Sequence, residues 1–225
     1  MSVSELASSL TARAGEGCGA IRRARGGKPG VAERLAAAAA LTVSLPVIAA
    51  ACAVVRWLSG RSPLVAHLRV GLNGEPFWML KLRTMWNGPG PGEGPRLVER
   101  LAGAPPGLKR GRDARVTSGF AALCRKFSID ELPQLIHVAS GRMSFVGLRP
   151  LTAEELEAYY GESAAEVLEV APGMTGLWQV LGRNRLSYAQ RRRLDVFFVR
   201  KRSPGLYAWI LLRTPGRVLS GRDAS

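Results

Sequence analysis

The sequence has few of the residues that most often bind metals or form cross-links. It contains 225 residues but only three cysteines and two histidines. Cys18, Cys52 and Cys124 are odd in number and far apart, which excludes a disulfide scaffold, and no CxxC pair predicts a zinc site. His67 and His137 do not form an HExxH motif. A Ser-His-Asp hydrolase and a histidine-ligated metal enzyme are therefore disfavoured.

Acidic residues are scarce relative to basic ones. Lys and Arg total 32 against 17 Asp and Glu, which gives a formal net charge of +15. A charge of this size predicts an anionic partner: nucleic acid, a membrane surface or a phosphorylated small molecule. No helix-turn-helix, zinc-finger or RNP pattern accompanies the basic residues, which disfavours specific nucleic-acid binding. The length, the 47% hydrophobic content and the lack of internal repeats predict one folded domain with additions.

One charge-free run distinguishes between these partners. Residues 35–55 are 21 consecutive uncharged residues, enough for a helix of roughly 31 Å against a hydrocarbon core of about 30 Å. A secretory signal peptide fits less well, because the run starts late, is long and lacks a convincing cleavage site. A buried Ala-rich core helix is the third interpretation. The run favours a membrane segment.

Basic residues flank this segment on both sides, including Arg34 before it and Arg56 after it. The positive-inside tendency would place both ends on the cytoplasmic side, which a straight span cannot satisfy. Pro46 lies near the middle and removes a backbone hydrogen bond, while the hydroxyl of Ser44 can satisfy a freed group. We therefore predict a re-entrant helix-break-helix hairpin over residues 31–60, in preference to a full span.

The remaining chain divides by composition. Residues 1–30 are rich in Ser, Ala, Gly and Arg and predict a mobile basic tail. Residues 61–225 are predicted to form one domain. Within it, 11 of the 20 residues in 88–107 are Gly or Pro, which predicts a loop with one short helical turn around 97–101. Asn73-Gly74 between apolar runs predicts a hairpin.

Capping signals, including the T-x-x-E capping box of Thr152 and Glu155, and apolar spacing predict the elements of the second half. Together they indicate an α/β mixed fold. We expect a small sheet with surrounding helices, the re-entrant N-terminal segment and interfacial amphipathic helices near the C-terminus, for which core packing is the alternative. The predicted elements are helices over 120–125, 152–169, 187–200 and 206–219, a strand over 142–146 and a loop or hairpin over 176–184.

The adjacent acids Asp130 and Glu131 are the strongest candidates for chemistry. A capping box of Ser128 and Glu131 is one interpretation, but Pro133 would then delete a hydrogen bond inside the helix. A helix beginning at Pro133 fits better and places both carboxylates just before its N-terminus. Such a pair can provide a nucleophile and a Mg²⁺ ligand, because Mg²⁺ takes few carboxylates and keeps waters and substrate phosphates.

Cationic side chains at three other places are suited to phosphate binding. Arg149 is held by the following Pro150 and so offers a fixed guanidinium fork. Lys81 and Arg83 lie beside a predicted strand, and Arg183 lies on a predicted loop. Each of them alone is also compatible with a structural or surface role. Together with the membrane segment and the acid pair, they indicate phosphoryl chemistry at a membrane surface.

At these residues the chain resembles the bacterial sugar transferases. These are the monotopic phosphoglycosyl transferases that start glycan assembly on polyprenol phosphate, here in their small single-domain form. The resemblance extends over roughly residues 35–219, and its blocks follow the order of the family. The blocks are residues 69–77, 81–85, 115–117, 128–135, 143–150, 172–179, 182–184 and 194–195.

The resemblance implies a reaction and the residues that perform it. A sugar 1-phosphate would pass from a UDP-sugar to polyprenol (undecaprenyl) phosphate, with release of UMP. Asp130 would attack the β-phosphate and form a covalent aspartyl-phosphosugar intermediate, and Glu131 would bind Mg²⁺. Arg149 and Lys81 would hold phosphate groups, and Arg183 matches an arginine near the nucleotide-sugar site.

The resemblance also implies a cellular setting. The protein would be monotopic in the inner membrane, with residues 61–225 on the cytoplasmic face and an anionic lipid surface beside them. Its product would begin an exopolysaccharide, capsule, O-antigen or glycoprotein glycan. Downstream glycosyltransferases would be its partners, and nucleic acid would not.

The chain departs from the family's usual pattern at a few positions. Leu148 stands where the family has proline, Phe198 where it often has tyrosine and Tyr207 where it commonly has aspartate. Ala66-His67 replaces an Arg-Gln pair. These changes concern the donor sugar more than the reaction class, because the acid pair is intact. A non-catalytic membrane-bound scaffold is the alternative function, and a basic nucleic-acid-associated protein, which should be soluble without detergent, is the third.

Overall fold

A computed structural model of the chain describes residues 27–86, 96–101, 118–182 and 185–220. These residues form a mixed α/β fold with eight helices and two small sheets, one ordered β2-β1-β3 and one pairing β4 with β5. The elements are α1 (Val31–Ser59), β1 (Leu64–Val70), β2 (Pro76–Leu82), β3 (Val98–Leu101), α2 (Gly119–Lys126), α3 (Leu135–Ala139), β4 (Ser144–Val146), α4 (Ala153–Tyr159), α5 (Ala164–Val167), β5 (Gly173–Thr175), α6 (Leu177–Leu181), α7 (Tyr188–Lys201) and α8 (Pro204–Ser220).

Helix α1 is long and apolar enough to cross a membrane by length and composition, and only 11% of its most apolar 18-residue window is buried. Val43 is 79% exposed and Trp57 is 83% exposed. Exposure of large apolar side chains at several positions along the helix is typical of lipid contact and does not fit a buried core helix. The helical backbone continues through Pro46, so the structure does not divide the segment into two helices.

Two hydroxyls lie in α1 just before its proline. Ser44 Oγ donates to the carbonyl of Ala40 at 2.7 Å, and Thr42 Oγ1 donates to the carbonyl of Ala38 at 3.0 Å. Hydroxyl bonds to the preceding turn favour helix bending, and Pro46 has no N–H for the carbonyl of Thr42. The features that weaken a helix are therefore concentrated in the middle of α1.

Both ends of α1 pack on the same domain. Ala37 is fully buried in a cluster with β2, α3 and Met143, and Val55 is fully buried in a second cluster with Leu82 and Cys124. One face of α1 thus contacts the domain near each end of the helix. This arrangement positions α3 and the segment before it, which carry the candidate acids.

Strands β1 and β2 form the hairpin that Asn73-Gly74 predicted. Asn73 has a φ of 55° and Gly74 a φ of 83°, which are left-handed conformations that these two residue types adopt most readily. The antiparallel register pairs Val65 with Lys81. The hairpin therefore fixes the position of Lys81 on β2, next to the central strand β1.

Residues 98–101 form a strand, so the predicted helical turn around 97–101 is wrong. This strand, β3, pairs in parallel with β1, and Leu64 is opposite Val98. The backbone partner comes from a part of the chain more than 30 residues away, which the local Gly/Pro pattern could not reveal. Residues 87–95 and 102–117, which include the predicted block 115–117, lie outside the described residues, as do 1–26 of the predicted tail.

The helices of the second half are only partly as predicted. Those over 120–125, 187–200 and 206–219 and the strand within 142–146 are confirmed. The helix expected over 152–169 is divided into α4, a 3₁₀ turn at Gly161–Ser163 and α5. Gly161 has a φ of 49°, which an uninterrupted helix cannot contain. Residues 177–181 form helix α6 instead of the expected loop or hairpin.

A buried carboxyl makes the stability of the fold depend on pH. Asp195 on α7 is 2% exposed and accepts a 2.6 Å hydrogen bond from Tyr160. Burial raises the pKa of Asp195 from 3.8 to about 7. Its contribution to stability is therefore fully present below about pH 4 and is lost as the pH rises through 7.

We expect Asp195→Asn to be more stable than the wild type at pH 8, by on the order of 2 kcal/mol, because it removes a buried charge and its carbonyl can still accept from Tyr160. At pH 5 the two proteins should differ less. Thermal unfolding between pH 5 and 8 measures this. A variant that is less stable than the wild type at pH 8 would contradict the assignment.

Candidate active site

The acid pair lies in a 3₁₀ turn, Ile129–Gln134, that leads directly into α3. Ser128 before it has a φ of 55° and makes no side-chain cap, so the capping-box interpretation is wrong. The predicted helix start at Pro133 is also wrong, because helical structure begins four residues earlier, at Ile129. The tighter turn holds Asp130 and Glu131 in its first turn, where partial positive charge from the backbone N–H groups stabilises anions.

Lys81 joins the two carboxylates. Its Nζ lies 2.9 Å from Oε1 of Glu131 and 3.4 Å from Oδ2 of Asp130. The side chain of Asp130 is 10% exposed, against 22% for Lys81 and 27% for Glu131. Three of the predicted site residues therefore form one cluster, in which the aspartate is the most enclosed member.

The positive charge of Lys81 offsets part of the negative charge of Asp130 and Glu131. Burial raises the pKa of Asp130 and Lys81 opposes that rise, while Glu131 adds to it. Burial alone would lower the pKa of Lys81, but Glu131 and Asp130 raise it above its ordinary value. Lys81 therefore remains an ammonium ion, and its charge offsets the cost of holding two carboxylates side by side.

Arg149 lies on the loop between β4 and α4, and backbone hydrogen bonds fix this loop on both sides. Before Arg149, Gly173 N–H donates to the carbonyl of Leu148 at 2.7 Å. After it, Val70 N–H donates to the carbonyl of Leu151 at 2.9 Å. These two bonds attach the loop to both sheets. Arg149 itself is exposed on this loop.

Several cations surround Arg149. Pro150 beside it is buried, whereas Arg149 is exposed. Burial, followed by the charge of Arg149, lowers the pKa of Arg69. Burial and the charges of Arg69, Lys81 and Arg149 lower the pKa of His67 to about 4, so His67 is neutral at pH 7. The charge of Arg149 also opposes the rise in the pKa of Lys81, so Arg149 lies within electrostatic reach of the lysine that contacts the acid pair. Cations grouped in this way would attract a diphosphate.

Arg83 is engaged in structural contacts. Its Nε donates to the carbonyl of Ser62 at 2.7 Å, and its Nη2 forms an ion pair with Glu99 on β3. Arg83 is buried, and this pairing links the end of β2 to β3 across the intervening strand β1. The structure therefore does not bring its guanidinium into the Lys81 cluster. Arg183 lies outside the described residues, and its role stays a prediction.

Sequence reasoning missed His137 on α3. Its Nε2 accepts a 3.1 Å hydrogen bond from the N–H of Leu80, the residue before Lys81. Burial, together with Arg142, lowers the pKa of His137 to about 4, so this nitrogen stays an acceptor. The bond ties α3 to β2 next to the acid pair. The seven-residue spacing from Asp130 to His137, about two helical turns, was the signal that could have found it.

A close approach of two glycines sets the position of the Arg149 loop. A Cβ at Gly173 would overlap the backbone nitrogen of Gly147 and lie 2.6 Å from its Cα. We expect Gly173→Ala to separate β4 from β5, to cost about 2 kcal/mol or more of stability and to lower turnover with it. Thermal unfolding and turnover of the purified variant measure both effects.

Gly119→Ala is the matched control for this prediction, because a Cβ at Gly119 meets nothing within 4 Å. It should retain both stability and turnover. Equal behaviour of the two variants would show that the glycine contact does not position the loop.

The acid pair also fits a Mg²⁺ ion. Among the described residues, no group of three or more His, Cys, Asp or Glu converges on one point. Mg²⁺ needs only one or two carboxylates and completes its shell with waters and substrate phosphates. A pair of carboxylates without nitrogen or sulfur ligands suits Mg²⁺ better than zinc. Glu131, the more accessible of the two acids, is the better placed to hold it.

Known proteins match this chain over most of its length. The model of a family described as bacterial sugar transferase matches residues 30–221. The exopolysaccharide production protein ExoY of Rhizobium meliloti (strain 1021) is 38% identical over 192 residues, which are 82% of this chain and 82% of that protein. The matched span of the family model includes α1, the acid pair, Lys81 and Arg149.

Two longer relatives carry names that state a reaction. The undecaprenyl-phosphate galactose phosphotransferase of Salmonella typhimurium is 34% identical over 195 residues, 82% of this chain and 40% of that protein. The UDP-glucose:undecaprenyl-phosphate glucose-1-phosphate transferase of Caulobacter vibrioides is 38% identical over 150 residues, 64% of this chain and 51% of that protein.

Proposed function

The chain belongs to the bacterial sugar transferase family, and we propose that it transfers a sugar 1-phosphate from a UDP-sugar to undecaprenyl phosphate with release of UMP. The observation that carries this proposal is the cluster of Lys81, Asp130 and Glu131, with exposed Arg149 within electrostatic reach of Lys81, in a chain with an apolar N-terminal helix. Two relatives are named as transferases that act on undecaprenyl phosphate.

The proposed reaction has two displacement steps at one phosphorus atom. In the first, an oxygen of Asp130 attacks the β-phosphorus of the UDP-sugar, the bond from that phosphorus to the oxygen of UMP breaks, and UMP leaves with the electron pair. In the second, a phosphate oxygen of undecaprenyl phosphate attacks the same phosphorus and the aspartate oxygen leaves. No redox partner and no net proton transfer are needed.

The surrounding side chains reduce the repulsion between an anionic nucleophile and an anionic substrate. Lys81 holds Asp130 in place and supplies a fixed positive charge. Arg149 is proposed to bind phosphate oxygens through its planar fork, with Pro150 limiting its backbone motion. Glu131 would hold Mg²⁺, which when bound neutralises charge on the diphosphate. We propose that Arg183 contacts the nucleotide-sugar and that Arg83 acts by linking the end of β2 to β3 across β1.

The packing of α1 supports a re-entrant path in the membrane. Ala37 and Val55 are both fully buried against the same domain. A full span would carry one end of the helix to the opposite side of the membrane from that domain. We propose that α1 enters and leaves one leaflet with its bend near Ser44 and Pro46. We also propose that the catalytic domain lies on the cytoplasmic face of the inner membrane, which the basic flanks of α1 support.

We expect Pro46→Leu to favour a full span, because it restores a backbone N–H and a good helix former at the proposed bend. The location of a reporter fused before residue 1 measures this. It should move from the cytoplasmic to the opposite side in most molecules. Val47→Leu, at an exposed neighbouring position, is the control and should leave it cytoplasmic. A reporter that stays cytoplasmic in Pro46→Leu would mean that the proline does not set the bend.

Release of UMP by the detergent-purified protein tests the proposed function. The assay contains Mg²⁺, undecaprenyl phosphate and a panel of UDP-sugars. We expect release with at least one donor and only when the lipid is present. Folded protein that releases no UMP with any donor would contradict the proposal and favour a scaffold role. A positive result also names the sugar, whose lipid-linked product we propose is extended by glycosyltransferases into an exopolysaccharide or a related glycan.

A further inference from the structure

A cavity lies outside the active site, between the start of α1, strand β4 and the junction of α7 and α8. Its volume is about 480 Å³, which is in the range of small-molecule sites. Its apolar wall includes Val146, Val170 and Phe198. None of the three residues of the acid cluster lines it, and Arg149 does not line it either.

The polar part of this cavity has a net positive balance. Lys28 and Arg202 contribute two cations, and Glu33 contributes one anion. The N-terminus of the 17-residue helix α8, through Pro204, also faces the cavity lining and adds partial positive charge. An apolar wall combined with this charge balance suits an anionic amphiphile better than a neutral or cationic one.

Hydrogen bonds to Glu33 hold the walls of the cavity together without a ligand. Its Oε1 accepts three hydrogen bonds of 2.6 Å, from Ser144 Oγ, from the N–H of Phe145 and from Tyr207 Oη. These bonds join α1, β4 and α8 at one atom and offset part of the repulsion that Glu33 would exert on an anion. A rigid cavity loses little conformational entropy when a ligand binds.

The position of the cavity indicates what it binds. It adjoins the first turn of α1, directly before the exposed apolar residues Val31 and Leu35. If α1 enters the membrane there, the cavity lies at the level of the lipid headgroups. Basic pockets beside the cytoplasmic ends of membrane helices are suited to anionic headgroups. Inorganic phosphate would leave the apolar wall unused, and the acceptor lipid must present its phosphate at Asp130.

We propose that this cavity binds one anionic glycerophospholipid, with its phosphate between Lys28 and Arg202 and an acyl chain along Val146, Val170 and Phe198. The bound lipid would connect α1 to α8 through their shared cavity. Phospholipid binding here does not require the transferase reaction, so it stands or falls separately from the proposed function.

Native mass spectrometry of the full-length protein in mild detergent tests this. Phosphatidylglycerol is titrated into the wild type and into the double variant Lys28→Gln/Arg202→Gln, and the fraction with one bound lipid is measured. We expect about tenfold weaker binding in the double variant, since each cation near a headgroup contributes an electrostatic attraction. Phosphatidylcholine should bind the wild type more weakly than phosphatidylglycerol does.

The matched control is Arg193→Gln/Lys201→Gln, which removes the same charge from exposed positions of α7 that do not line the cavity. It should bind phosphatidylglycerol like the wild type. If both double variants lose phosphatidylglycerol binding equally, the loss is caused by the lower net charge and not by the cavity, and the proposal is overturned. Complete displacement of phosphatidylglycerol by inorganic phosphate or by undecaprenyl phosphate would overturn it as well, by naming a different occupant.

Discussion

The Asp130→Asn variant is expected to release UMP at least about 10³-fold more slowly than the wild type while remaining folded and membrane-bound. The amide has nearly the shape of the carboxylate, but its oxygen is a far weaker nucleophile toward phosphorus. Lys81 keeps its ion pair with Glu131 at 2.9 Å, so one of the two ion pairs of the cluster remains in the variant. The initial rate with a working donor and the midpoint of thermal unfolding measure the two effects.

The control for this variant is Glu166→Gln, which neutralises an acid that is paired with Arg200 on the surface. It should retain wild-type turnover. Wild-type turnover in Asp130→Asn would remove Asp130 as the nucleophile. A large drop in the unfolding midpoint together with the activity would instead indicate a structural role for the aspartate.

Arg149→Gln is expected to lower kcat/KM by about 10²–10³-fold without a change in stability. Its guanidinium is exposed, so its removal leaves no buried group without a partner. The proposed fork on the phosphate oxygens is lost, and removal of one such contact to developing negative charge typically costs this much. Steady-state kinetics with the UDP-sugar measure the loss.

Two companion variants separate the fork from the charge. Arg149→Lys keeps the positive charge but not the planar fork and should show a smaller loss, about tenfold. Arg142→Gln removes an exposed arginine on the other side of β4 and should behave like the wild type. If Arg149→Gln and Arg142→Gln have equal activity, Arg149 does not bind the substrate.

The features of the fold that the sequence predicted correctly are local ones. The capping box of Thr152 and Glu155 spans four residues, and its two bonds form at 3.1 and 3.0 Å. The Asn73-Gly74 turn is equally local. Strand β3 was missed because its partner is β1, distant in the chain. Periodicity reports on neighbours along the chain and carries no information about such pairings.

In the candidate site, too, the sequence predicted the residue types but not the contacts between distant residues. The acid pair and Arg149 were recognised from residue type and order, but the contact of the acid pair with Lys81 crosses about 50 residues of sequence. Arg83 has the same residue type as Arg149, yet its pairing with Glu99 gives it a structural position. Glu33 was not selected at all, because its partners lie 111 to 174 residues away. Contacts of this length depend on the tertiary fold.

The most direct test of the central claim is the intact mass of the protein after incubation with a working UDP-sugar and Mg²⁺ in the absence of undecaprenyl phosphate. The account predicts a mass increase of one sugar phosphate, located by peptide mapping on Asp130 and lost when the acceptor lipid is added. Turnover by a protein that never carries this adduct, or an adduct on another residue, would contradict it.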